Sequence, residues 1–412
     1  MIAENAAETT RPPDTTRPPD TISWARPEDV GFSRERLARI GEVLEADIAA
    51  SRLPGAVALV ARGGRIVHFK AYGRRGPAAA DPMALDTIFR IYSMTKPIVS
   101  VAFMMLAEEG RVTLADTLAT YIPAFSDVTV GVEGAGGLER VPARRPITLH
   151  DLLRHTSGLT YEWLEDGPVG RLYVEARAGA RDRTNAEQAA ALAGLPLLSH
   201  PGARWAYGRS TDVLGRVLEI VSGETLGAHL SRRIFEPLGM METGFHVPEE
   251  FHDRIAEPFE VDPDTGEAVR SLDVRRPVAS ESGGGGLAST AADYARFLHM
   301  LASGGTLDGN RLLSPATLAF MLSDHLAPDV AVGSDLLPEG YGFGLGFAVR
   351  RAAGHAPFPG SAGDAFWMGL GGTSFWIDPA QGLYALLMIQ APGRREHYRR
   401  VFRQLVYGAL TG

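Results

Sequence analysis

The chain has 412 residues, 45% hydrophobic and 22% charged, a globular composition with material for one large domain or two closely joined ones. Its formal net charge of −8, with acids and bases mixed throughout, excludes the basic stripe of a nucleic-acid surface. It has no cysteine, hence no disulfide, no thiolate nucleophile and no Cys-based metal centre, and no run approaches the roughly 18 apolar residues of a membrane span.

The opening segment contains a direct duplication, TTRPPD from Thr9 to Asp14 and again from Thr15 to Asp20. Its proline density and lack of apolar residues predict a mobile tail over residues 1–20. Met1 to Asp20 also lacks the apolar stretch of a secretory leader, so a cytoplasmic location is expected. From Ser33, a plausible N-cap, Leu37, Ile40, Leu44 and Ile48 recur with helical period. Ala56–Val60 and Ile66–Phe69 are β-rich runs joined across Gly63-Gly64, a hairpin signal. A short extended segment, Ile88 to Tyr92, then leads into a long apolar helix stopped by Gly110.

The middle of the chain reads as helical. Thr148 to Asp151 and Thr290 to Asp293 have the spacing of capping boxes, and Val213, Leu214, Val217, Leu218 and Val221 share one face of a helix ended by Gly223. Ser314-Pro315 is an N-cap followed by proline at the first helical position. Strands return at Tyr341–Val349, Thr373–Ile377 and Leu383–Ile389, before a last helix from about Glu396 to Leu410. Strands at both ends and helices between them predict an α/β (α+β) protein. Its sheet domain comprises residues 21–95 and 280–412, and a mainly helical domain covers 96–279.

Lysine usage is unusual. Of 41 basic residues only Lys70 and Lys96 are lysines. Arginine does not give up its proton in proteins, whereas a partly buried lysine can, so a surviving lysine raises the question of proton chemistry. Lys96 closes the tetrad Ser93-Met94-Thr95-Lys96 at a strand-to-helix junction. On a helix, positions three apart share a face, so the lysine amine can reach the serine hydroxyl. A desolvated amine near the positive end of a helix can take the proton that makes a serine nucleophilic. An accidental S-x-x-K in such a chain has odds of about one in ten, so the motif alone is suggestive only.

The surrounding residues carry a resemblance. Ile91-Tyr92-Ser93-Met94-Thr95-Lys96-Pro97 resembles the nucleophile segment of the serine β-lactamase and penicillin-recognising superfamily. Within it, the chain is most similar to class C β-lactamases and their esterase relatives, the family VIII carboxylesterases. His155-Thr156-Ser157-Gly158-Leu159 resembles that family's turn at the active-site rim. Trp205-Ala206-Tyr207 followed by Asp212-Val213-Leu214-Gly215 resembles its second catalytic segment, and Ser282 to Leu287 a recurrent Gly-rich stretch. Trp367-Met368-Gly369, then Gly372 to Pro379, resembles the third motif and its strand. The likeness runs in order from about Trp24 to Gly408.

The resemblance implies a β-lactamase-like fold, an antiparallel sheet flanked by helices plus an all-helical domain, with the active site between them. It implies Ser93 as nucleophile with Lys96 and Tyr207 as proton carriers, and no metal or cofactor. A tyrosine in such a place, taken without context, is a packed side chain about four times in five. The resemblance also implies an oxyanion hole from the backbone N–H groups of Ser93 and Leu370. Trp367, Met368 and Gly369 would form a substrate wall. Tyr161 is placed on the pocket wall too, with core packing an equal alternative.

Two departures move the expected substrate from lactam to ester. The third motif carries no lysine, which weakens anionic-substrate recognition and leaves an apolar wall suited to neutral, short-chain esters. Tyr207-Gly208-Arg209 lacks the amide of Tyr-x-Asn, and Arg209 is expected to be solvated. The expectation is therefore a carboxylesterase acting on small esters, without nucleic-acid or membrane partners and of unknown oligomeric state. The alternatives are a β-lactamase or D-alanyl peptidase, an acyltransferase of the statin-biosynthesis type, or a non-catalytic sensor. No G-x-S-x-G, H-E-x-x-H or phosphate-loop pattern is present.

Overall fold

The computed structural model describes residues 22–78, 80–134, 136–332 and 336–412. The duplicated segment expected to be a mobile tail lies outside them.

Seven strands form one antiparallel sheet: β1 (Gly55–Arg62), β2 (Arg65–Gly73), β3 (Tyr341–Phe343), β4 (Ala348–Arg350), β5 (Ala365–Met368), β6 (Ser374–Asp378) and β7 (Leu383–Ile389). Their order is β3-β4-β5-β6-β7-β1-β2. The first and last parts of the chain meet where Ala56 pairs with Ile389 and Arg62 with Leu383. The β1–β2 turn has both central glycines at positive φ, Gly63 at 57° and Gly64 at 73°, as a two-residue hairpin with right-handed strand twist requires.

Both faces of this sheet are covered. Helices α1 (Arg34–Ala49) and α5 (Arg395–Gly408) pack against each other over one face, and α4 (Ala291–Ala302) packs on β7 and β1. Adjacent residues on β6 show the alternation. Phe375 meets Tyr294 of α4 with ring centroids 5.4 Å apart, and Trp376 meets Phe402 of α5 at 5.4 Å. Strands buried on two faces read as nearly continuous apolar runs, which is the pattern of Leu383–Ile389.

Helix α2 (Thr95–Glu108) is buried at every position from Thr95 to Leu106. A helix that is apolar all round belongs in a core. It packs against α3 (Ser210–Ser222), so the segments containing Ser93 and Tyr207 enter neighbouring helices.

Three local expectations need correction. Tyr341–Val349 is two strands rather than one. Gly346, at φ 93°, turns the chain where a Cβ would overlap Ser100. Ala365–Met368 is a strand in its own right, read above only as a motif. At Thr290 only half of the capping box forms. The Thr290 hydroxyl accepts from Asp293 N, while the Asp293 carboxylate is taken by Glu242 N and the Thr243 hydroxyl. The box at Thr148 and Asp151 is complete.

Candidate active site

Ser93 sits in a single 3₁₀ turn, Tyr92–Met94, between the short strand Ile88–Arg90 and α2. Tyr92 has φ 45°, an unusual conformation for a residue with a side chain, so the backbone is held in a sharp bend beside Ser93. The next turn brings Lys96 back onto the serine, and Lys96 Nζ lies 3.2 Å from Ser93 Oγ.

Lys96 is fully buried and its amine has two further partners, the Tyr161 hydroxyl at 3.0 Å and the Gly284 carbonyl at 2.5 Å. Burial brings its pKa down to about 7, against the opposing pull of the Asp212 carboxylate, with the Arg209 guanidinium pushing the same way as burial. The partners fit both protonation states. An ammonium has three donors for three acceptors. A neutral amine can donate to Gly284 and Tyr161 and turn its lone pair to the Ser93 hydroxyl.

Tyr207 lies on the other side of Ser93. Its hydroxyl accepts from Trp367 Nε1 at 3.3 Å and is near enough to the Ser93 side chain for the serine to act on its ionisation. Burial pushes the Tyr207 phenol well above its ordinary pKa, so it remains protonated at neutral pH. Lys96 Nζ lies 4.5 Å from the Tyr207 ring centroid, and the tyrosine hydroxyl to which it donates is that of Tyr161. Gly208 lets these segments meet, because a Cβ there would overlap the Leu159 carbonyl and Thr160.

Asp212 was quoted above only within a motif, but it organises the site. One carboxylate oxygen accepts from the Ser282 hydroxyl at 2.5 Å and from Gly284 N at 3.1 Å, fixing the loop whose Gly284 carbonyl holds Lys96. Its other oxygen lies 3.6 Å from Arg209 Nη1. Arg209 is not solvated as expected. It is 13% exposed and donates to both Glu162 oxygens, at 2.7 and 2.9 Å. A glycine at 208 and a carboxylate three residues after the arginine were the available sequence signals for this inward turn.

The third motif ends β5. Trp367 is buried between Tyr207 and Phe343, at ring-centroid distances of 5.3 and 5.2 Å. Gly369 N donates to the Thr373 carbonyl at 2.7 Å, while Leu370 N has no hydrogen-bond acceptor among the described residues. Leu370 is 41% exposed. Ser93, Tyr161, Tyr207, Trp367, Met368, Gly369 and Leu370 all line one cavity of about 230 Å³, and Lys96 lies beneath it. His155 is buried behind Tyr207, with rings 4.9 Å apart, and its imidazole is held neutral by burial. Among the described residues no group of acidic and histidine side chains has the arrangement of a metal site, and no helix is long and apolar enough to cross a membrane.

A serine and a lysine one turn apart at the head of a buried helix, facing a tyrosine across a cleft beside an antiparallel sheet, is the arrangement of β-lactamase-like serine hydrolases. The chain belongs to the beta-lactamase family, whose model matches residues 40–408. It is 36% identical over 362 residues to Protein Rv1367c of Mycobacterium tuberculosis, covering 86% of this chain and 88% of that one. It is 35% identical over 371 residues to Esterase EstB of Burkholderia gladioli, covering 85% and 89% of the two chains. The solved structure of EstCE1, described as a hydrolase with promiscuous acyltransferase activity, superposes with a TM-score of 0.72. It is 27% identical, and the match covers 92% of this chain and 99% of that one.

Proposed function

We propose that the protein is a carboxylesterase of the family VIII type, hydrolysing short-chain esters through an acyl-enzyme on Ser93. The observation that carries this reading is the buried Lys96 amine, brought to a pKa of about 7 and placed 3.2 Å from the Ser93 hydroxyl. A base with its pKa near neutrality is substantially unprotonated at pH 7 and can accept the serine proton as the bond to the carbonyl carbon forms. The phenol of Tyr207 is held protonated by its burial and is the weaker candidate for that role.

In the first half-reaction Ser93 Oγ attacks the ester carbonyl as its proton passes to Lys96 Nζ. The carbonyl oxygen becomes an oxyanion, received by the N–H groups of Ser93 and Leu370. The C–O bond to the alcohol then breaks, and the Lys96 ammonium returns its proton to the departing oxygen. Tyr207 holds that oxygen by a hydrogen bond from the other side of Ser93. In the second half, water gives a proton to Lys96 and attacks the acyl carbon. Collapse releases the acid, and Ser93 regains its proton.

A second reading, transfer of the acyl group to an alcohol, is favoured by the likeness to EstCE1 and uses the same intermediate with a different acceptor. The third motif, Trp367-Met368-Gly369, offers no cation for a lactam carboxylate. The deciding experiment is mass spectrometry after mixing with a slowly hydrolysed ester or a phosphonate. A covalent adduct on Ser93, absent from Ser93→Ala together with hydrolysis of 4-nitrophenyl acetate and butyrate, is expected. Activity retained in Ser93→Ala refutes the assignment.

A further inference from the structure

The cavity above Ser93 is richer in positive charge than its third motif indicates. Arg181, Arg209 and Arg395 line it, and Asp212 is the one acidic residue among its described lining residues. Two of these arginines are engaged within the fold. Arg209 holds Glu162 with two bonds and lies against Asp212, and Arg395 Nη1 donates to the Pro392 carbonyl at 2.7 Å.

Arg181 is different. Its Nη1 donates to the Asp273 carbonyl at 2.9 Å, while Nε and Nη2 are both buried and have no hydrogen-bond partner. These two nitrogens form one edge of the guanidinium, with parallel donors at the spacing of carboxylate oxygens. Elsewhere in this chain the same edge is used for that purpose. Arg26 takes Asp29 with Nε and Nη2, Arg34 takes Glu28, and Arg232 takes Glu224.

The charges facing Arg181 do not fill the edge. Asp273 is the acidic side chain whose field reaches it, and its Oδ1 already accepts from Arg275 N at 2.9 Å. Tyr92, beside the nucleophile, is the other group close enough to act on it. An arginine cannot escape burial by losing its proton, so an unfilled edge is costly to keep in a folded protein. A ligand that fills it recovers that cost.

We propose that Arg181 binds a carboxylate of the substrate, so that the favoured substrates are esters carrying a free carboxylate rather than plain neutral esters. This deepens the esterase reading and rests on it for the site of reaction. The cation comes from the loop before the helix Asn185–Ala193, on a different part of the cavity wall from the third motif. A substrate seated between Arg181 and Ser93 would present its carboxylate at one end and its ester carbonyl at the other.

The carboxylate can belong to the acyl or to the alcohol part, and two matched pairs of substrates separate these. Monophenyl glutarate is compared with phenyl pentanoate, and 4-acetoxybenzoate with 4-acetoxybenzamide. In the wild type, kcat/KM for at least one charged ester should exceed that of its neutral partner by about tenfold or more, chiefly through KM. In Arg181→Gln that ratio should fall by about tenfold, and in Arg181→Lys part of it should return, since charge is kept but the paired donors are lost. Ratios near one for both pairs in the wild type, or a ratio that survives Arg181→Gln, overturn the proposal. A measurement on the wild type alone covers a variant that does not fold. Phenylbutyrate should inhibit at a concentration about tenfold lower than phenylbutyramide, and equal potency counts against Arg181. If the wild type turns over none of the four esters, the esterase reading falls, and the inhibitor comparison still decides Arg181.

Discussion

Lys96 and Tyr161 are joined by a hydrogen bond of 3.0 Å beneath the cavity floor, and the Tyr161 phenol is itself held well above its ordinary pKa by burial. The tyrosine therefore stays neutral, and its oxygen is one of three acceptors around the Lys96 amine. Removing that oxygen in Tyr161→Phe takes away support for the ammonium more than for the neutral amine. The expected result is a fall of about tenfold in kcat/KM for a neutral ester, with the acid limb of its pH profile displaced below that of the wild type. A profile superimposable on the wild type would mean that Tyr161 only packs.

The wild-type profile has its own expected form. With Lys96 brought to about 7 by burial, the amine is protonated and unable to accept the Ser93 proton in mild acid. Activity should rise with pH through about 7 and level off above it. Lys96→Arg should show no such limb and lose about 10²–10⁴ of the rate, because a guanidinium keeps its proton. Steady-state rates from pH 5 to 9 test both statements, and a limb unchanged in Lys96→Arg would move the base elsewhere.

Asp212 acts on the same lysine through two routes, by its field and by pinning Gly284. Its carboxylate raises the Lys96 pKa, so Asp212→Asn should shift the acid limb downward. It should also loosen the Ser282–Gly284 loop and leave Arg209 with Glu162 alone. A stability loss of about 1–3 kcal/mol, read from urea unfolding, should accompany the kinetic change. An intact limb with reduced stability would confine Asp212 to a structural role.

Much of this was legible in the sequence because several of its signals are local. Ser93 and Lys96 are three residues apart, and a helix brings them together without help from the rest of the fold. The β1–β2 hairpin is written in Gly63-Gly64, and the sheet in the apolar runs at both ends of the chain. What escaped reading depends on contacts between distant segments. Tyr161 meets Lys96 from 65 residues away and Gly284 meets it from 188, so neither partnership leaves a periodic or spaced trace. Arg209 reads as a surface residue until the turn at Gly208 directs it to Glu162. Arg181 shows its open edge only when its neighbours are known.

The strand that ends in Trp367-Met368-Gly369 is anchored at its start by a buried ionic cluster, and this yields a prediction about stability rather than chemistry. Asp364, immediately before β5, is fully buried and accepts from Arg350 Nε at 2.6 Å, Arg403 Nη2 at 2.5 Å and the Tyr341 hydroxyl at 2.7 Å. It thereby ties β3, β4 and α5 to the entrance of β5. The pairings need not contribute much as a whole, since three charges were desolvated to make them. Removing the central carboxylate is another matter, because it leaves two buried guanidinium groups facing each other. Asp364→Ala should cost about 3–5 kcal/mol in denaturant unfolding, and Asp364→Asn, which keeps an acceptor, distinctly less. In protein that remains folded, Trp367 keeps its place under Tyr207, so the pH limb set by Lys96 should stay near 7 in both variants. Stability equal to the wild type in Asp364→Ala would show that the cluster does not anchor β5.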